Sequence, residues 1–131
     1  MGRGVAVATG TGSMSGARSR NKGANAEREV LRLLGDELGV ALMRNLTQTR
    51  GGGADCLEVA GWAIEVKRCE QLSRPAWWRQ ACRQAEQASA RPMLLYRRSR
   101  ESWTAWIHTT GNSWREGTLI DAAGAIREGW V

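Results

Sequence analysis

The chain has no phenylalanine and one tyrosine, so seven tryptophans carry nearly all of its aromatic content. Most of these indoles are expected in the core, since each can bury a large apolar surface. Trp77 and Trp78 are adjacent and cannot both face one core squarely, so one of them is expected at a dimer or DNA surface. Histidine occurs once, at His108, and the cysteines Cys56, Cys69 and Cys82 follow no zinc spacing. An odd number of thiols with no second ligand type nearby argues against a zinc centre or a disulfide framework and leaves reduced, partly buried cysteines. No apolar run nears the ~20 residues of a membrane helix. Residues 1–22 also lack the apolar segment of a secretory signal. The expectation is a soluble, intracellular chain.

Lysine is nearly absent too. Of 19 basic side chains, Lys22 and Lys67 are the two lysines and the rest are arginines. A lysine in so Arg-biased a chain marks a position that wants a compact, tunable charge rather than a wide, permanent fork, unless its placement is chance. The formal charge of +6 invites a nucleic-acid partner. Four of the basic residues sit within residues 1–22, where no acid offsets them, so the remainder is close to balanced.

At 131 residues with 42% apolar content, one domain is expected. Residues 1–22 read as a basic tail without regular structure, rich in Gly, Ser, Thr and Ala, and residues 23–131 as the folded domain. Met14 offers an alternative start, which would make Gly10-Thr11-Gly12-Ser13 an appended segment.

Asn25 to Leu38 has the period of an amphipathic helix, with Asn25 as N-cap and Gly39 as stop. Its apolar stripe is Val30, Leu31, Leu34 and Leu38, and Glu27 lies on the same stripe. A carboxylate on a buried face is costly unless paired or bound to a metal. The plainer alternative is a first-turn acid meeting the helix dipole. Glu29 points elsewhere and reads as ordinary surface. Val40–Met43 reads as a first strand, followed by a polar loop, Asn45–Gly53, that ends in three glycines. Asp55–Val59 and Trp62–Lys67 read as strands joined around Ala60-Gly61. A helix follows from Pro75 to Ser89, then strands at Met93–Tyr96 and Ser102–His108. A short strand near Thr118–Ile120 and a helix from Asp121 to Glu128 complete the chain. The order implies an α/β domain with a central mixed sheet flanked by helices.

Along Trp62–Lys67, alternation puts Trp62, Ile64 and Val66 on one face and Ala63, Glu65 and Lys67 on the other. A carboxylate and an ammonium then stand side by side in an otherwise apolar strand. A structural salt bridge is one explanation. Asp55 after a Gly-rich loop and Glu27 on the helix stripe supply another, a metal-dependent phosphodiesterase centre. Such chemistry needs a hard cation held by carboxylates, with a Lys to hold water or offset developing charge.

These residues resemble a known pattern. Gly53-Ala54-Asp55, nine residues, then Glu65-Val66-Lys67 resembles the PD-(D/E)xK nuclease signature, with Ala54 where Pro is usual. Lys22-Gly23 followed by Glu27-Arg28, and Ala41-Leu42-Met43-Arg44 before a Gly-rich loop, are similar to archaeal-type Holliday-junction resolvases. The resemblance spans roughly residues 22–107. It implies a restriction-endonuclease-like fold with an αβββαβ core and an Mg²⁺-dependent endodeoxyribonuclease, with Mn²⁺ as the substitute ion and no small-molecule cofactor. By position, Asp55 and Glu65 would bind the metal, Glu27 would complete the site, and Lys67 would assist the water or the phosphate. Gln80 would be an accessory residue, although it also suits a solvated helix face. The substrate implied is branched DNA, cut by a homodimer whose two-fold symmetry matches the junction. A duplex-cutting or nicking phage or restriction-type enzyme, and a catalytically silent DNA-binding module, are the alternatives. The location would be the cytoplasm, of a bacterium or of a phage host.

Lys22, Arg28, Arg44, Arg50, Arg79 and Arg83, with the Arg97, Arg98 and Arg100 cluster, are candidate phosphate contacts, which position DNA without reading it. One geometric condition accompanies the site. A two-residue Ala60-Gly61 turn pairs Val59 with Trp62 and puts Asp55 on the face opposite Glu65. The nuclease reading therefore expects a three-residue turn, a bulge, or Asp55 in a distorted strand start.

Overall fold

A computed structural model describes residues 11–42 and 57–128, with side chains described in the first segment from residue 23 onward. Among these residues the order is α1 (Thr11–Leu38), β1 (Leu57–Val59), β2 (Trp62–Arg68), α2 (Arg74–Ala88), β3 (Arg91–Arg97), β4 (Thr104–His108), β5 (Trp114–Thr118) and α3 (Leu119–Glu128). The five strands form one mixed sheet in the order β1-β2-β3-β4-β5. The β2 and β3 strands run parallel, and the other neighbours are antiparallel. The fold is α/β and restriction-endonuclease-like. Among the described residues no helix is long and apolar enough to cross a membrane.

Strand alternation builds two cores. Trp62, Ile64, Met93, Leu95, Trp103, Ala105 and Ile107 face α1 and α3, where Val30, Leu31, Leu34, Ala122 and Ile126 complete the larger one. Leu94, Tyr96 and Trp106 face the other way, onto Trp77, Trp78 and Ala81 of α2. Ala63 meets Ala85 on that same side. The faces expected for β2 are those observed. Trp77 and Trp78 are both buried, at 9% and 6% exposure, so the expectation that one lines a surface is corrected. The sheet beneath α2 is wide enough for both: Trp77 turns to Tyr96, Trp78 to Trp106.

Three element boundaries differ from the sequence expectation. Helix α1 begins at Thr11 rather than Asn25, so residues 11–22 are helical where composition suggested no regular structure. That stretch contains no proline, and a helix anchored by packing extends at little cost per residue. Asn25 is consequently not a cap, and its Oδ1 accepts a bond from Arg28 instead, at 2.9 Å. Val40–Leu42 is not a strand, and Met43 lies outside the described residues. The chain turns back at Gly39, whose φ is +76°, and Val40 donates to Gly35 O at 3.0 Å. Gly35 permits this approach, since a Cβ there would stand 2.6 Å from Val40 O. Finally, the last strand is Trp114–Thr118 and α3 starts at Leu119. Thr118 and Asp121 form a reciprocal cap there, Thr118 N to Asp121 Oδ2 at 2.8 Å and Asp121 N to Thr118 Oγ1 at 3.1 Å.

The β1–β2 turn is a regular two-residue hairpin, pairing Val59 with Trp62, Glu58 with Ala63 and Leu57 with Ile64. Ala60 and Gly61 both have positive φ, 49° and 85°, as a type I′ turn requires. The three-residue turn and the bulge are thus both corrected within this span. Described pairing ends at Leu57, and Asp55 lies outside the described residues.

Two predictions follow from these local geometries. Asn tolerates the left-handed conformation better than Ala, so Ala60→Asn is expected to stabilise the chain by roughly 0.5–1 kcal/mol, read as a higher urea midpoint. The Asp121 carboxyl is held below its ordinary value of 3.8 chiefly by the Thr118 N–H. A lowered folded-state pKa gives stability that is full above the ordinary value and lost as pH falls through the lower one. Asp121→Asn should therefore flatten the acid limb of a stability-versus-pH curve below about pH 4 and leave its slope near neutrality unchanged.

Candidate active site

Glu65 and Lys67 stand on the α2 face of β2, two residues apart, with Lys67 Nζ 3.1 Å from Glu65 Oε2. Glu65 is the one buried charged residue among those described, at 6% exposure, whereas Lys67 is partly open. Parallel pairing sets Glu65 beside Leu94 and Lys67 beside Tyr96. The buried carboxylate thus stands beside an apolar strand neighbour, with the more open ammonium next to it on the same face. On the β1 side, described pairing ends at Ile64, and the positions that would face Glu65 and Lys67 lie outside the described residues.

Glu27 sits well inside α1, so the first-turn dipole explanation for its placement falls away. It is half-buried between Ala26 and Val30, and its Oε1 is shielded from solvent. Helix α1 packs on the sheet face opposite Glu65. Among the described residues no three His, Cys, Asp or Glu side chains come together as a metal-holding group. Asp55, the remaining expected ligand, lies outside them.

The orientation of α1 is fixed by a residue the sequence reading took for surface. Glu29 accepts from Arg97 Nη2 at 3.1 Å and from Trp103 Nε1 at 3.3 Å. Arg97 also lies over the Trp103 ring, 5.3 Å from its centroid. Because Arg97 ends β3, this cluster sets the Glu27 end of α1 at the carboxyl ends of β2 and β3. No local signal marks Glu29, since its partners lie about 70 residues away in sequence.

On α2, the flank bearing Trp78 and Cys82 turns toward β4 and β5, where Trp78 Nε1 donates to Asn112 O at 2.9 Å. Helical spacing puts Gln80 and Gln84 on the opposite flank, toward β2. Both are half-buried. Gln84 Oε1 is shielded and has no donor among the described residues, making it the more enclosed of the two. Sequence reading singled out Gln80 and passed over Gln84, because period alone does not rank two glutamines one turn apart. Arg28, Arg79 and Arg83 are exposed. Arg44, Arg50 and the Lys22 side chain lie outside the described residues. Cys69 and Cys82 are free and half-buried, and burial pushes the Cys82 thiol up, away from the reactive thiolate.

A buried carboxylate with a lysine two residues on along the same strand, Glu65-Val66-Lys67, is the second half of the nuclease signature seen in the sequence. The family model described as "Phage putative PDDEXK endonuclease" matches residues 18–120. The chain belongs to this family. The match takes in α1 from residue 18 onward, the whole Glu65–Lys67 strand, α2 and all of the sheet. No curated protein and no solved structure matches the chain.

Removing Arg97 would strand the Glu29 carboxylate in its partly buried setting. Arg97→Ala is expected to cost roughly 1–3 kcal/mol. A double-mutant cycle with Glu29→Gln should recover a coupling energy of the same sign, measured by chemical denaturation.

Proposed function

We propose that this chain is a divalent-metal-dependent endodeoxyribonuclease acting on branched DNA. The observation that carries the proposal is the buried Glu65 carboxylate with Lys67 Nζ 3.1 Å away on the same strand. Membership of an endonuclease family supports the reaction class.

Carboxylate oxygens are the donors that Mg²⁺ takes, and the candidate set holds no thiol or imidazole, so these residues fit a hard cation. Glu65, Asp55 and Glu27 would hold it, and Mn²⁺ would substitute. Bound there, the ion would supply polarisation of the scissile phosphate and acidify a water. Lys67, oriented by its strand and by Glu65, holds the attacking water or offsets charge developing on the phosphate. Gln84, and less directly Gln80, offers an amide beside that water. Lys22, Arg28, Arg44 and Arg50 would contact phosphates without reading sequence. A homodimer, by its two-fold symmetry, would match the paired scissile strands of a four-way junction.

A second reading is a duplex-cutting or nicking enzyme of phage DNA processing, which the phage description of the matched family favours. Labelled four-way junction, flap and linear duplex, incubated with Mg²⁺ or EDTA, separate the two. Paired symmetric cuts in the junction alone support the resolvase-like reading, and comparable cutting of all three supports the general one. Glu65→Ala and Lys67→Ala should each lower the metal-dependent rate by about 100-fold or more. Lys67→Arg should not restore it, because a planar fork cannot replace a point charge. Binding without metal-dependent cutting, or full activity in both alanine variants, would overturn the enzymatic assignment.

A further inference from the structure

On the other flank of α2 from Glu65 lies a cavity of about 460 Å³. Arg79, Arg83 and Glu86 of α2 form one wall. Arg91, His108 and Asn112, from the start of β3 and the β4–β5 turn, form the other. The far wall is held rigidly. Arg91 Nε donates to His108 Nδ1 at 3.1 Å and Arg91 Nη2 to His108 O at 2.9 Å. His108 Nε2, 2.9 Å from Gly111 O, must then carry the ring proton, since a carbonyl only accepts. Arg91 also lies 4.3 Å from the centroid of the Trp62 ring. Three arginines thus line a cavity whose one acidic lining residue is Glu86.

Beside the cavity, against its lining residue Trp78, stands Trp114, two residues on from Asn112. It lies flat on Trp106, with ring centroids 3.5 Å apart and planes 5° from parallel. It also meets Trp78 edge-on at 6.5 Å. One indole face is therefore occupied, and yet 40% of Trp114 is exposed, the highest among the described aromatic residues. The stack beneath it keeps the ring from turning.

A fixed, exposed aromatic face beside clustered arginines is the pairing that binds single-stranded nucleic acid: bases stack on the ring and the arginines track the backbone. Arg79 and Arg83 are one helix turn apart, about 5.4 Å, a stride that suits successive phosphates of an extended strand. We propose that this surface is a second DNA subsite, in which Trp114 takes an unstacked base and Arg79 and Arg83 hold the adjoining phosphates. It would secure a single-stranded arm of the substrate while Glu65 and Lys67 act on the opposite flank of α2. The choice of DNA as occupant rests on the nuclease reading. The binding itself needs neither metal nor catalysis.

The test is fluorescence anisotropy of a labelled oligothymidylate with the full chain in EDTA. Trp114→Ala should weaken binding about tenfold, and Trp114→Phe should restore most of it. Trp114→Leu keeps an apolar cap on Trp106 but offers no stacking face, so it should bind as weakly as Trp114→Ala while melting near the parent temperature. Arg79→Gln combined with Arg83→Gln should lower the salt slope of binding by about 0.7 per arginine. Unchanged affinity in Trp114→Leu would overturn the proposal. So would competition by free thymidine monophosphate at the same concentration as the oligonucleotide, which would make the cavity a mononucleotide site. Binding is read in EDTA and cutting with metal, so loss of cutting in Glu65→Ala and loss of binding in Trp114→Ala report on separate claims.

Discussion

Glu65 sets the terms for the rest of this structure. An ionised carboxylate enclosed by apolar side chains carries a desolvation cost of several kcal/mol unless a cation or strong donors accompany it. Lys67 answers that demand from the same strand face, 3.1 Å away. The two must share a face, so β2 must stay extended through residue 67, and its parallel pairing with β3 over Trp62–Arg68 provides that regularity. The crossover helix that parallel pairing requires is α2, which packs on the sheet face that carries Glu65. An acid held in an apolar setting, with an ammonium at its open side, is an arrangement that stability alone would not favour over a hydrophobic pair.

Much of this could be read from the chain because period and face are local properties. Trp62–Lys67 alternates so regularly that the separation of Trp62, Ile64 and Val66 from Glu65 and Lys67 was legible without coordinates. So were α2, with its alanine and tryptophan face, and the half-buried position of Glu27. The start of α1 was not legible, because Asn25 imitates a cap and only packing reveals a helix already under way. Val40–Leu42 resembled a strand because a short apolar run carries no sign of the close approach at Gly35. Glu29 escaped notice because its partners, Arg97 and Trp103, are remote in sequence. The condition placed on Asp55 narrowed: with a regular turn and no bulge between Leu57 and Ile64, a departure from strand geometry before Leu57 is the form left to it.

The helix α1 shows how a polar cluster can serve a site it does not touch. Glu29, Arg97 and Trp103 tie one end of the helix to the end of β3. At the other end Arg127 of α3 donates to Glu37 O. Held at both points, the helix cannot roll on its apolar stripe, and Glu27 keeps its place against the sheet. The two acids divide the work by position: one faces inward, and its neighbour two residues on holds the helix in rotation.

Ala81 and Ala85 lie between the two flanks of α2 and are each 1% exposed. Their small size lets the helix axis rest close to β2 and β3, and that height is common to everything the helix bears. A larger residue at either position would lift the Gln84 side and the Arg79 side together, loosening the cover over Glu65 and widening the distant cavity in one movement. The two surfaces are therefore not independent modules. Natural variation or engineering that aims to retune one of them has to work at the flanking positions and leave the alanine ridge as it stands.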